Sequence, residues 1–249
     1  MQKSRRWRGL EFLLLSLVGT ACAPAAKAPT SKPASPSFDS DAQESSSTES
    51  SADADATPPT ARDEATAESL PKGTRVLQIG DSFADALGGN LGKLLRAAEV
   101  KSNLEFETPS YIPNWSYSAK LRNLIANYQP DLVLITLGAN EIEIPHPDER
   151  VKPIKHLVSV LGGRPCVWIA PPLWKPDTGL LKVLSENVAP CRYLDSNLYV
   201  HDLPRAHDKI HPSLEGREIW AKVVFDWLVK ERAGTAEQPW AFKPESAPP

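Results

Sequence analysis

Between Thr74 and Arg232, short apolar runs alternate with stretches in which apolar residues recur every three or four positions. Arg75–Ile79 predicts a buried strand, and Ala84–Ala98 a helix with Leu87, Leu91, Leu94 and Leu95 on one face. Leu104–Glu107 is a second, weaker strand candidate. Ser116–Tyr128 has a helical period through Leu121, Leu124 and Ile125, and Pro130-Asp131 ends it before the strongly apolar Leu132–Leu137. Asp148–Leu161 predicts a helix closed by Gly162-Gly163, and Val167–Ala170 a strand closed by Pro171-Pro172. A helix over Thr178–Val188, a short strand over Arg192–Leu194 and a closing helix over Ser213–Lys230 complete the pattern. A strand followed by a helix, about five times over, predicts a parallel sheet with helices on both faces. Ligands in such folds bind beyond the carboxyl ends of the strands.

The flanks read differently. Arg5, Arg6 and Arg8 precede a short apolar stretch, Leu10 to Val18, too short to cross a bilayer comfortably. Gly19, Thr20 and Ala21 then lead to Cys22, so residues 1–22 read as an export signal ending at a cysteine. An ordinary signal peptide cleaved nearby is the alternative, and Ser4-Arg5-Arg6 gives a weak hint of twin-arginine export. From 23 to 72 the chain is rich in Ala, Ser, Pro, Thr and acidic residues, with few large apolar ones. Such a composition cannot bury enough surface to offset the entropy of ordering, so it is expected to be a disordered tether. Residues 73–232 make one domain, and 233–249 form a Pro-rich tail, loose unless Trp240 and Phe242 dock it.

A net charge of −3 gives no sign of a nucleic-acid partner, and much of the acidity lies in the tether. Besides Cys22 the chain has Cys166 and Cys191, each just before an expected strand. If those strands are parallel neighbours the two come level, and in an exported domain a disulfide follows; two buried thiols are the alternative.

Three polar motifs stand out, two at the ends of expected strands and one in a loop after the last strand. Gly80-Asp81-Ser82 follows the first strand and opens a helix, where backbone N–H groups and the helix's positive end favour negative charge. A serine there also caps helices. Asn140, in Leu137-Gly138-Ala139-Asn140-Glu141, offers an amide donor, although Asn is common in such turns. Asp208-Lys209-Ile210-His211-Pro212 supplies a carboxylate and an imidazole with two residues between them, enough for the carboxylate to hold one ring nitrogen and leave the other for a hydroxyl. Other chemistries fit less well. Gly88–Lys93 lacks the first glycine and the hydroxyl of a phosphate loop. There is no G-x-S-x-G elbow. His201, Asp202, His207, Asp208 and His211 cluster in sequence, but Pro204 and Pro212 disfavour the helical turn a metal set would need. No cofactor or metal is expected.

Taken together, G-D-S, G-A-N and D-K-I-H-P, in that order and spacing over Thr74–Lys230, resemble the SGNH/GDSL hydrolase family, and residues 19–22 resemble a lipoprotein lipobox. The resemblance implies a flavodoxin-like three-layer α/β/α fold with a five-stranded parallel sheet of order 2-1-3-4-5. It implies Ser82 as nucleophile, His211 as general base, Asp208 as the acid that orients it, and an oxyanion site from Asn140 and the Ser82 N–H. It also implies lipidation of Cys22. Two positions depart from the family: Glu141 stands where Asp is usual, and Thr108–Trp115, after the second strand, lacks the usual oxyanion glycine. Pro109 and Pro113 have no N–H to give, which leaves Ser110 or Tyr111 as the third donor. Tyr111, Trp115 and Trp174 are expected near the active edge, as a platform or as core rim, and Trp168, Trp220 and Trp227 in the core.

The expected function is an exported serine esterase, lipid-anchored in the bacterial cell envelope with the outer membrane favoured. Its expected substrate is an O-acylated carbohydrate, and no protein partner is evident. An O-acyltransferase with the same triad and a non-catalytic glycan- or partner-binding module are the alternatives.

Overall fold

The computed structural model describes residues 69–244. The export signal, Cys22 and most of the expected tether lie outside them. Eleven helices and strands make up the fold, together with short 3-10 turns. In chain order the longer elements are β1 (Arg75–Gly80), α1 (Ser82–Ala97), β2 (Lys101–Phe106), α2 (Ile112–Tyr117), α3 (Lys120–Tyr128), β3 (Leu132–Thr136), α4 (Val151–Val160), β4 (Cys166–Ala170), α5 (Leu180–Asn187), β5 (Arg192–Asp195) and α6 (Leu214–Glu231). The sheet runs β2-β1-β3-β4-β5 and every pairing is parallel. This is the expected flavodoxin-like three-layer arrangement.

The side-chain alternation of the strands divides the core in two. On one face Val76, Leu132, Leu134, Val167 and Ile169 pack under α1 and α6 through Leu87, Leu91, Leu95, Trp220, Val224 and Leu228. On the other, Leu77, Ile79, Val133, Ile135 and Trp168 pack under the remaining helices through Leu121, Ile154, Leu157, Leu180 and Leu184. Burial on both faces is why β3 and β4 read as apolar runs and β1 as one broken only by the buried Gln78.

Several expected boundaries move. The helix expected over Ser116–Tyr128 is two helices. Pro113 sits in the first turn of α2, where a missing N–H costs nothing, and Ser118 is extended (ψ 159) and separates α2 from α3. β2 starts at Lys101 rather than Leu104; it is a half-buried edge strand, so its polar first half carries no apolar signal. Leu70, placed in the tether by its surroundings, is 3% exposed in the core. The tail folds back as far as Phe242, which bridges Arg232. Trp240 is buried, with its Nε1–H donating to Thr74 Oγ1 at 3.1 Å.

Cys166 and Cys191 are disulfide-bonded, with Cα atoms 4.7 Å apart. Val133 pairs with Cys166 and Val167 with Arg192, so the two cysteines stand side by side at the amino ends of β4 and β5. The bridge closes a 25-residue separation. In the chain-entropy account, a loop of that size contributes about 3 kcal/mol by restricting the unfolded chain. Replacing both cysteines by serine should lower the urea-unfolding free energy by about that amount. An unchanged midpoint with an unchanged slope would contradict it.

Candidate active site

The site begins with Gly80. A Cβ on this residue would stand 1.9 Å from the Thr136 carbonyl oxygen, so no other residue lets β1 turn this close to β3. The next N–H, from Asp81, donates to the same oxygen at 3.2 Å. Asp81 is the N-cap of α1, and its Oδ1 accepts the Phe83 N–H at 2.8 Å. That leaves Ser82, first residue of the helix, with its own N–H among the unpaired donors of the helix start.

His211 reaches Ser82 from the loop between β5 and α6. Its Nε2 lies 2.8 Å from Ser82 Oγ, and its Nδ1 lies 2.7 Å from Asp208 Oδ2. A carboxylate only accepts, so Nδ1 carries the proton, Nε2 is bare, and Ser82 donates to it. Asp208 Oδ1 accepts the N–H groups of Ile210 and His211 at 2.9 and 3.0 Å. The His211 hydrogen bond and these two N–H groups hold the Asp208 carboxyl below the usual range, at about 2. It therefore stays ionised throughout the ordinary pH range. The structure thus brings Ser82, His211 and Asp208 into one hydrogen-bonded chain.

Asn140 lies past β3, the neighbour of β1, in a 3-10 turn that follows Gly138. Its Nδ2 donates to the Ser110 carbonyl at 2.9 Å, which fixes the amide and leaves its second N–H. Of the two remaining candidates, Tyr111 has its N–H committed to Asn114 Oδ1 at 2.8 Å. Among the described residues the Ser110 N–H meets no acceptor. Its Oγ accepts the Trp115 Nε1–H at 3.1 Å, and Trp115 is core rather than rim. Tyr111 is exposed, and half-buried Trp174 stacks on Phe83 at 5.4 Å between ring centres.

Two buried carboxyls, Glu141 and Asp81, lie beneath the site, and Glu141 is a partner behind the site rather than a solvated loop charge. Glu141 is fully buried; Oε2 accepts the Ile112 N–H at 3.0 Å and Oε1 bonds Arg150 Nε. It ties the Asn140 turn to α2 and to the start of α4. Burial raises its pKa, while the Ile112 N–H and Arg150 work the other way. Asp81 is fully buried too, and its Oδ2 has no hydrogen-bond partner among the described residues. Burial, with the Glu141 charge adding to it, pushes Asp81 up to about 7 against the pull of the Phe83 N–H and the lesser pull of the Ala139 and Gly138 N–H groups. Sequence offered Ser82 as a helix cap; the cap is one residue earlier, at Asp81, and Ser82 is the first residue of the helix. Among the described residues, no group of three or more His, Cys, Asp or Glu side chains is placed to hold a metal ion.

No protein-family model matches the sequence, and no curated protein matches it. Solved structures do. A catalytic mutant of an acetylxylan esterase from Geobacillus stearothermophilus superposes with a TM-score of 0.50 at 16% identity, covering 62% of this chain and 94% of that one. An α/β hydrolase from the metagenome of Lake Arreo, Spain, gives 0.49 at 16% identity over 64% and 98%. The periplasmic domain of a lipopolysaccharide acetyltransferase from Salmonella ser. Paratyphi A gives 0.46 at 15% identity over 66% and 86%. At such identities the likeness speaks for the fold alone.

Asp81 makes stability depend on pH with a definite sign. Its carboxyl is displaced from 3.8 to about 7, so the neutral form is the one the fold favours. Its contribution is complete below pH about 4, declines as pH rises towards about 7, and is level above. The unfolding free energy of the wild type minus that of Asp81→Asn, followed in urea from pH 4 to 8, should fall by a few kcal/mol. A difference that stays flat with pH would show that Asp81 does not titrate in this window.

Proposed function

We propose that the protein is a serine esterase of SGNH type. The observation that carries this reading is the continuous chain from Ser82 Oγ through His211 to Asp208 at the carboxyl edge of the sheet. In the proposed mechanism, Ser82 Oγ attacks the ester carbonyl carbon as its proton passes to His211 Nε2. Asp208 holds the imidazole by Nδ1 and stabilises the imidazolium that forms. The carbonyl oxygen becomes an oxyanion, and three donors would receive it: the Ser82 N–H, the second Asn140 Nδ2–H, and the uncommitted Ser110 N–H in place of the missing glycine. Collapse breaks the C–O bond, and the leaving alcohol takes the proton from Nε2. Water, deprotonated by the same nitrogen, then attacks the acyl carbon and frees Ser82 and the carboxylic acid.

The proposed substrate is an O-acyl, especially O-acetyl, ester on a cell-envelope carbohydrate, and the proposed location is the envelope, with the chain held through a lipid on Cys22. The support for both is the resemblance of residues 1–22 to an export signal ending at a cysteine, together with the polar composition of residues 23–72. Labelling with a fatty acid should mark the wild type and not Cys22→Ser, and label in both would remove the anchor.

Hydrolysis of p-nitrophenyl acetate should vanish in Ser82→Ala; turnover that persists there would remove the mechanism. Asp208→Asn, which presents the wrong hydrogen-bonding partner to Nδ1, should lower kcat by up to about 10⁴-fold. Asn140→Ala should lower kcat by about 10²- to 10³-fold with a smaller change in KM, as expected for a donor used mainly in the transition state. A change confined to KM would instead make Asn140 a ground-state contact.

A further inference from the structure

The loop carrying Asp208 and His211 belongs to no helix or strand, and much of it is exposed. Its backbone closes on itself. Ala206 N–H donates to His211 O at 2.8 Å, Lys209 N–H to Ala206 O at 3.0 Å and Ser213 N–H to Pro204 O at 2.9 Å, while Arg205 and Pro212 form an antiparallel bridge. Gly216, in the first turn of α6, seals the base: a Cβ there would meet Pro204 O at 2.2 Å. These bonds give the loop a shape of its own. They do not fix where it sits over Ser82.

Two arginine side chains tie it to other segments: Arg217, whose Nε donates to Pro212 O at 3.4 Å and whose Nη1 lies 3.7 Å from Asp85 Oδ2 in α1, and Arg205, which bridges to the segment after β4. Arg205 Nη1 donates to Ile210 O at 2.7 Å, inside the loop and next to His211. Nη2 donates to Pro172 O at 3.1 Å and Leu173 O at 2.8 Å, in the segment that follows β4. One planar group thus links three carbonyl oxygens on two segments. The second segment leads straight to Trp174, which stacks on Phe83, whose ring lies 5.3 Å from the His211 imidazole. The guanidinium therefore bears on the imidazole from two sides: along the backbone through Ile210, and from beneath through Leu173, Trp174 and Phe83. Burial draws the Arg205 pKa down and the Asp208 charge opposes that shift, so the group is half withdrawn from water beside the carboxylate.

We propose that Arg205 is a positioning residue, which holds the His211 loop on the β4 segment so that Nε2 stays within hydrogen-bond distance of Ser82 Oγ. The inference rests on the esterase reading above. Lysine keeps the charge but lacks the rigid fork that reaches three acceptors at once, and glutamine has neither. A small displacement of a catalytic group is costly, so loosening the loop acts on kcat rather than on substrate binding.

The test compares wild type, Arg205→Lys and Arg205→Gln in two readouts. With p-nitrophenyl acetate, kcat should fall about 10- to 100-fold in both variants while KM stays within about twofold. In protein labelled with ¹⁵N-histidine, the Nε2 resonance of His211, assigned by its absence from His211→Gln, should move in both variants towards its position in Ser82→Ala, where the hydroxyl that donates to it is gone, while the other histidine signals remain. Wild-type kcat and an unchanged resonance in the two variants would overturn the proposal. So would an equal loss of kcat with the resonance unmoved, which would place Arg205 in substrate contact. If Arg205→Gln fails to fold, Arg205→Lys carries the comparison. A wild type with no ester turnover would sink the esterase reading alone, because the resonance still decides the role of Arg205.

Discussion

The contact on which the rest depends is the close approach of β1 to β3 at their carboxyl ends. Gly80 lets the chain pass against the Thr136 carbonyl, and the Asp81 N–H bonds that oxygen. Parallel strands end at a common edge, so once these two are locked together the segments that follow them share one neighbourhood. Ser82 starts a helix there, and Asn140 sits in a turn there. No long-range search is needed to bring hydroxyl and amide together; the pairing of two neighbouring strands does it. The imidazole is the exception. It arrives on a loop 129 residues away in the chain, and its place depends on side-chain bonds rather than on the sheet.

Beneath this edge lie two carboxyls that water does not reach. Removing such groups from water is costly, and the fold offsets it differently for each. Glu141 has an arginine and a backbone N–H, so its charge is partnered from both oxygens. Asp81 has a helix-start N–H on one oxygen, no hydrogen bond on the other among the described residues, and only the lesser pull of the Gly138 and Ala139 N–H groups besides. The better-partnered group joins separate segments, whereas the poorly partnered one sits directly beside the serine. The ordering suits a site whose walls must be rigid: the bond that spans segments is the one with a counter-charge.

The sheet order and both core faces were legible because burial on both faces of β1, β3 and β4 leaves largely apolar runs, and because Ser82, Asn140 and the Asp208–His211 pair stand in an order that resembles a family pattern. Elsewhere sequence was mute for physical reasons. Lys101, Ser102 and Asn103 form half of an edge strand, whose outer side needs no apolar residues. Pro113 looks like a breaker and instead begins a helix. The choice between Ser110 and Tyr111 turned on whether Asn114 bends back to the Tyr111 N–H, a contact no composition announces. Arg205 was invisible for the same reason: it bonds carbonyl oxygens, and every residue has one.

The way the chain enters the fold has a spatial corollary. Ser69 accepts a hydrogen bond from Arg232 at the far end of α6, and Trp240 is pinned to Thr74 just before β1. Both contacts lie at the amino ends of the strands, where the disulfide also stands, and α6 begins at the opposite pole beside His211. Any support that grips the protein through its amino-terminal residues would therefore hold it by the back. The first described residue and the serine stand at opposite ends of the strands.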